Sequence, residues 1–141
     1  MGNCLAESPA IIGHMLSSTA VAEPHADRID AVRRFVRDHA DEPLDRARLA
    51  AVAGFSVSHF HRLWRAHTGE NVAAYVRRVR LKRAAFKLRM GAVDITEVAL
   101  CAGYETHAAF SRAFKQQYGV SPRQFRDLDC WAATQMVHER G

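Results

Sequence analysis

Cysteine is scarce and poorly placed for a covalent framework: Cys4, Cys101 and Cys130 are odd in number, far apart and form no C-x-x-C pair. Neither a disulfide scaffold nor a zinc site is expected, and a reducing cytoplasm suits such usage. No stretch approaches the ~18 uninterrupted apolar residues that a membrane-spanning helix requires, so no membrane partner is expected. The first 26 residues lack a basic opening, and their apolar AIIGHML is interrupted by Gly13 and His14, which argues against a secretory signal. The opening MGNCLAES presents Gly2 and Cys4, but Ala6 stands where acylation wants Ser or Thr, so no lipid anchor is expected. A G-x-S-x-G elbow, a glycine-rich phosphate loop and a paired acidic motif are also missing. The common hydrolase and nucleotide-binding readings go with them, and no cofactor is implied.

What is present is charge and helical periodicity. The 141 residues carry 20 Lys and Arg against 15 Asp and Glu, a formal net charge of +5, with 48% hydrophobic content. That length fits one domain, or two very small ones sharing a connector, and the cationic excess favours a polyanionic partner.

From Asp27, a possible cap, Ile29, Val32 and Val36 recur at helical spacing until Pro43 forbids continuation. Asp45 can cap RARLAAVA, which buries Leu49 and Val52 and ends at Gly54. Ser56 can cap VSHFHRLWRAH, with Phe60, Leu63, Trp64 and His67 forming one stripe. Two helices joined by a short turn containing glycine make a helix-turn-helix signature.

The unit occurs twice. Ala53, Gly54 and Phe55 return as Ala102, Gly103 and Tyr104. After one inserted residue, Phe60, Arg62, Trp64, Arg65 and Gly69 return as Phe110, Arg112, Phe114, Lys115 and Gly119. The second copy is expected to open on a capping box from Asp94 to Glu97 and to bury Val98 and Cys101. It then runs its second helix through THAAFSRAFKQQY. Between the copies Asn71 caps, and Gly91 stops, a helix over Val72 to Arg89 that would span about 27 Å. Seven of its residues are Arg or Lys and none is acidic. Its early apolar positions (Val72, Tyr75, Val76, Val79) and late ones (Leu81, Ala84, Ala85, Leu88) face different ways, as a connector between two subdomains requires. Ser121 and Pro122 open a last short helix that returns Phe125 to the place Tyr75 holds in the first copy. The tail after Arg126 is too weakly patterned to assign.

The fold expected is therefore all-α, with two homeodomain-like helix-turn-helix subdomains on a long connector helix. Residues 1–26 are expected to form a flexible extension, 27–70 the first unit, 71–90 the connector, 91–126 the second unit and 127–141 a tail. Two such units on one chain can read two successive major grooves about 34 Å apart, so the chain would bind double-stranded DNA as a monomer at an asymmetric site. Residues off the apolar stripes are free to meet DNA: Ser58, His61, Arg62 and Arg65 in the first unit, and His107, Ala108, Ser111, Arg112 and Lys115 in the second. Arg can pair bidentately with guanine, Ser and His can bond base edges, and Ala can touch a thymine methyl. The arginines have an alternative role as phosphate clamps, and the connector arginines, Arg65 and Lys115 are well placed for phosphates. No two histidines stand four apart, so a helical metal pair is not built. His59 reads as structural and His67 as part of the buried stripe.

The stretches AGYETHAAFSRAFKQQYGVSPRQFR and RLKRAAFKL carry a family resemblance: from about Arg28 to Arg126 the chain resembles the DNA-binding domain of the AraC/XylS transcriptional regulators. The resemblance implies seven helices, DNA reading by the third-type helix of each unit (VSHFHRLWRAH and THAAFSRAFKQQY), and transcription control through contact with RNA polymerase. By position it assigns base reading to Ser58, His61, Arg62, His107, Ala108, Ser111 and Arg112. HFHRLWRAHTGE and YVRRVRLKRAA are most similar to the subgroup in which a gyrase-inhibitor-like ligand-binding domain follows. Little sequence follows Arg126, so either a stand-alone regulator or a piece of a longer chain is expected, without ligand control in this segment. Ser58 stands where a bulky aromatic would otherwise give a relative's base preference. Two rivals are a helical adaptor that binds a protein and touches DNA only non-specifically, and a repair enzyme with a reactive Cys4 or Cys130.

Overall fold

Short side chains with acceptor oxygens start most of the helices. Asp45, Ser56, Asn71 and Ser121 sit in extended backbone and accept the N–H three residues on, at 2.8, 3.2, 2.9 and 3.1 Å. Each such bond satisfies a donor that the first helical turn would leave orphaned. Gln124 reciprocates by accepting the Ser121 N–H at 2.9 Å, completing a capping box. The computed structural model describes residues 25–91 and 94–141. Among them the chain forms eight helices and no strand. These are α1 (residues 25–38), α2 (Arg46–Ala53), α3 (Val57–Thr68), α4 (Val72–Arg89), α5 (Ile95–Cys101), α6 (His107–Tyr118), α7 (Pro122–Arg126) and α8 (Cys130–Arg140). The acylation reading at Gly2 and nearly all of the expected flexible extension lie outside the described residues.

Two separate apolar clusters hold the chain. Ile29, Val32 and Val36 of α1, Leu49 of α2, Phe60 and Trp64 of α3, and Val72, Tyr75 and Val76 of α4 close the first. Leu81, Ala84, Ala85 and Leu88 of the same α4 join Val98, Phe110, Phe114 and Phe125 in the second. The connector thus contributes one face to each cluster, as its sequence pattern predicts. The internal repeat reaches the ring geometry. Trp64 lies 5.3 Å from Tyr75 and its equivalent Phe114 lies 5.4 Å from Phe125, while Phe60–Trp64 and Phe110–Phe114 stand at 5.9 and 5.6 Å.

Several expectations change. Asp27 is not a cap, because α1 is already helical at residue 25. Asp94 makes no side-chain capping bond; α5 is anchored instead by the burial of Ile95 and Val98. Cys101 is exposed, since the buried stripe of the second copy runs through Ile95, Val98, Ala99 and Ala102, and position 101 falls between its rows. His67 is exposed too. The stripe of α3 passes from Trp64 to Thr68, whose hydroxyl donates to the Trp64 carbonyl at 2.7 Å.

The tail is the eighth helix. Asp129 caps it at 2.8 Å, Ala133 is buried in the second cluster, and Leu128, Met136 and Val137 pack against that cluster. α8 lies along α6, where Gln117 donates a side-chain hydrogen bond to the Arg140 carbonyl. Its arrival buries Tyr118, which replaces the Thr68 of the first copy. Among the described residues the Tyr118 hydroxyl finds no hydrogen-bond partner, and burial pushes its pKa from 10.0 up to about 12. The folded state therefore favours the neutral phenol: its contribution is intact below pH 10 and is lost as pH rises through about 12. Tyr118→Phe should raise stability near neutrality by about 1 kcal/mol, by removing the unpaired hydroxyl. It should also flatten the fall in urea midpoint between pH 10 and about 12. Urea titrations at pH 8 and 11 check both.

Candidate nucleic-acid interface

α3 and α6 are built alike. Each has 12 residues, an oxygen cap (Ser56, Thr106) and a glycine end. Gly69 (φ 79°) and Gly119 (φ 84°) take the left-handed conformation that residues with a Cβ pay to adopt. In both helices the aromatic stripe is fully buried, and this fixes which residues look outward.

The outward residues form matching stripes. Ser58, His61, Arg62 and Arg65 recur at i, i+3, i+4 and i+7, and fifty positions later Ala108, Ser111, Arg112 and Lys115 repeat the pattern. Ser58, Arg62, Arg65, Ala108, Arg112 and Lys115 are exposed, as is His107 just before the second stripe; His61 and Ser111 are half-buried. All nine predicted residues thus lie on two equivalent helix faces. Sequence reasoning missed Val57, which occupies the place of His107 and is 41% exposed, unusual for an apolar residue at a helix start. The alignment of the two copies was its only signal.

Electrostatics distinguish these faces from the rest of the surface. Neither α3 nor α6 contains an acidic residue. Among the described residues Arg62, Arg65, Arg112 and Lys115 make no hydrogen bond or ion pair, while many other arginines are committed. Arg28 donates to the Ala53 carbonyl and lies over Phe55, and Arg48 bonds Glu42 and the Pro43 carbonyl.

The connector arginines depart most from expectation. Arg78 holds Glu70 through two bonds of 2.6 and 2.9 Å, and the hydrogen-bonded carboxylate raises the guanidinium's pKa. Arg80 donates to the carbonyls of Ala40 and Glu42, and Arg83 to the carbonyl of Arg37 and to Asp41. Arg89 reaches the carbonyls of Phe125, Arg126 and Leu128. Four of the seven connector cations are therefore committed internally, Arg78 to a carboxylate and Arg80, Arg83 and Arg89 to neighbouring backbone, where helix C-termini offer orphan carbonyls and negative dipole ends close by. Among the described residues Arg77, Lys82 and Lys87 make no such bond.

The His59 ring packs tilted against Phe55 of the α2–α3 turn at 4.6 Å, a structural contact, and no cluster of three metal-binding side chains forms among the described residues. No helix among them is long and apolar enough to cross a membrane.

A model of the helix-turn-helix domain matches residues 49–127, from α2 to the end of α7. The chain belongs to the AraC-type helix-turn-helix family. Within that family it is 35% identical over 99 residues to the transcriptional regulator Rob of Salmonella typhimurium, covering 70% of this chain and 34% of Rob. It spans about a third of that relative's length. It is 32% identical over 107 residues to the transposon Tn10 TetD protein of Escherichia coli, covering 76% of this chain and 78% of that protein. Among solved structures, the DNA-binding domain of AdpA, a global transcriptional factor, in complex with a target DNA, is 27% identical with a TM-score of 0.64. The match covers 80% of this AraC-type chain and 97% of the AdpA domain.

Proposed function

We propose that the chain is a sequence-specific transcriptional regulator that binds duplex DNA as a monomer, laying α3 and α6 in two successive major grooves. The observation that carries this reading is the pair of equivalent outward stripes, each ending in cations that have no partner among the described residues. Arg62 and Arg112 sit at the centre of each stripe, where a guanidinium can pair bidentately with guanine O6 and N7. Ser58, His61, His107 and Ser111 supply further hydrogen bonds, while Val57 and Ala108 offer apolar contact to thymine methyls. Arg65 and Lys115, one turn further on, suit phosphates. The kinship with Rob and the DNA-bound AdpA domain support the same reading. Transcription control runs through contact with RNA polymerase, and the chain performs no catalytic step of its own.

The test is selection of bound duplexes from a random pool at about 150 mM salt, where non-specific electrostatic binding is weakened. Two different half-sites about one helical turn apart should be enriched. No enrichment, with binding that vanishes as salt rises, would replace this reading with the adaptor one.

A further inference from the structure

The connector carries one guanidinium that touches both units. α1 ends near residue 38, where the His39 N–H still donates to the Phe35 carbonyl at 2.9 Å and the Glu42 N–H to the His39 carbonyl at 3.0 Å, while the Arg37, Ala40 and Glu42 carbonyls are met by the connector. Arg80, near the middle of α4, donates from Nε to the Ala40 carbonyl at 3.0 Å and from Nη2 to the Glu42 carbonyl at 2.7 Å. Arg83, one turn on, donates to the Arg37 carbonyl at 2.9 Å and pairs with Asp41 at 3.2 Å. Both arginines thus draw the end of the first unit onto the connector.

The remaining nitrogen of Arg80 faces the other way. A Cβ built on Gly103, in the α5–α6 turn at φ 91°, would lie 3.3 Å from Arg80 Nη1. Burial raises the pKa of the Tyr104 phenol beside that turn, and the charges of Arg77 and then Arg80 partly offset the rise. A narrow crevice lined by Ala40, Asp41, Arg80, Arg83, Val98 and Cys101 shows the end of the first unit meeting α5 of the second around these two side chains. The apolar clusters of the two units share no residue, so their relative angle depends on contacts of this kind and on the stiffness of α4.

We infer that Arg80, seconded by Arg83, is a positioning residue that fixes the angle between the two helix-turn-helix units and so the half-site spacing the protein accepts. The inference rests on the two-groove reading above. A planar fork meets two carbonyls and a glycine turn at once; a lysine ammonium, a single point on a flexible stem, does not.

One inserted base pair moves a half-site by ~3.4 Å and turns it by about 35°. With the units clamped, the unsubstituted protein should lose about a hundredfold in affinity for an operator so altered, because the second helix no longer engages. Arg80→Ala should lose less than about tenfold on the same insertion, and Arg80→Lys should behave like Arg80→Ala. Binding to an isolated half-site should be unchanged in both variants, which also shows that the units are folded. A second readout needs no DNA. Spin labels at Ala66→Cys and Gln116→Cys, both exposed positions on the two recognition helices, are placed in a background whose native cysteines are replaced by serine. The label distance should be sharply distributed with Arg80 and broad without it. Unchanged spacing preference and unchanged label distances in folded Arg80→Ala would overturn the inference. A distance broadened by Arg80→Ala, with no spacing preference even in the unsubstituted protein, would uphold the clamp and sink the two-groove reading.

Discussion

Phe114→Ala should melt the second helix-turn-helix unit and leave the first one folded. Phe114 is fully buried and packs at 5.6 Å on Phe110, 4.8 Å on Tyr118 and 5.4 Å on Phe125, so truncation empties the centre of its cluster. The expected cost is about 3–5 kcal/mol, comparable with the whole stability of so small a unit. The first cluster contains none of these residues and draws on α4 through Val72, Tyr75 and Val76, with Val79 packed against it. Besides the helix, the units meet around Arg80 and Arg83, whose hydrogen bonds all go to the first unit while Arg80 Nη1 lies beside Gly103 of the second, too little to carry such a loss across. Fluorescence can follow both halves. Trp64 is fully buried in the first cluster, whereas Trp131 on α8 is 73% exposed and already in water. In Phe114→Ala the blue-shifted Trp64 emission should persist while the circular dichroism of the α5–α8 region is lost. Loss of both signals in one transition would show that the connector makes the chain a single cooperative unit.

The parts of this fold written in local chemistry are legible in the sequence. Ser56, Asn71 and Ser121 announce helix starts because a capping oxygen acts within three residues, and the apolar spacing of α4 tells which end packs on which unit. The outward stripes follow by subtraction once Phe60, Trp64, Phe110 and Phe114 are placed inside. Tertiary choices were not legible. Arg80 and Arg89 look like phosphate ligands in a cationic helix, and nothing near them in sequence names the carbonyls about 40 residues away that accept their hydrogen bonds. α8 was missed because it buries one alanine fully and its larger side chains only in part, which leaves little periodic signal. Cys101 and His67 were misplaced for a narrower reason. Near a helix end the neighbour one step along, Ala102 or Thr68, can take the inward position equally well.

Arg112→Ala should reduce affinity for the selected operator by about 1–3 kcal/mol, roughly fivefold to 150-fold, and should relax base preference at one position only. The side chain is exposed on α6, has no partner among the described residues, and stands one turn beyond Ala108 and one turn before Lys115. Its fork is therefore available for guanine O6 and N7 without first breaking an internal bond. Lys115→Ala provides the contrast. A phosphate contact carries no sequence information, so that substitution should weaken all duplexes about equally and lower the slope of log affinity against log salt by about one. Quantitative binding to the operator and to single-base variants, repeated at several salt concentrations, separates the two roles. If Arg112→Ala lowered the salt slope and left base preference intact, Arg112 would be a phosphate clamp. The second unit's specificity would then have to come from His107, Ala108 and Ser111, whose contacts are shorter and less directional than a guanidinium fork.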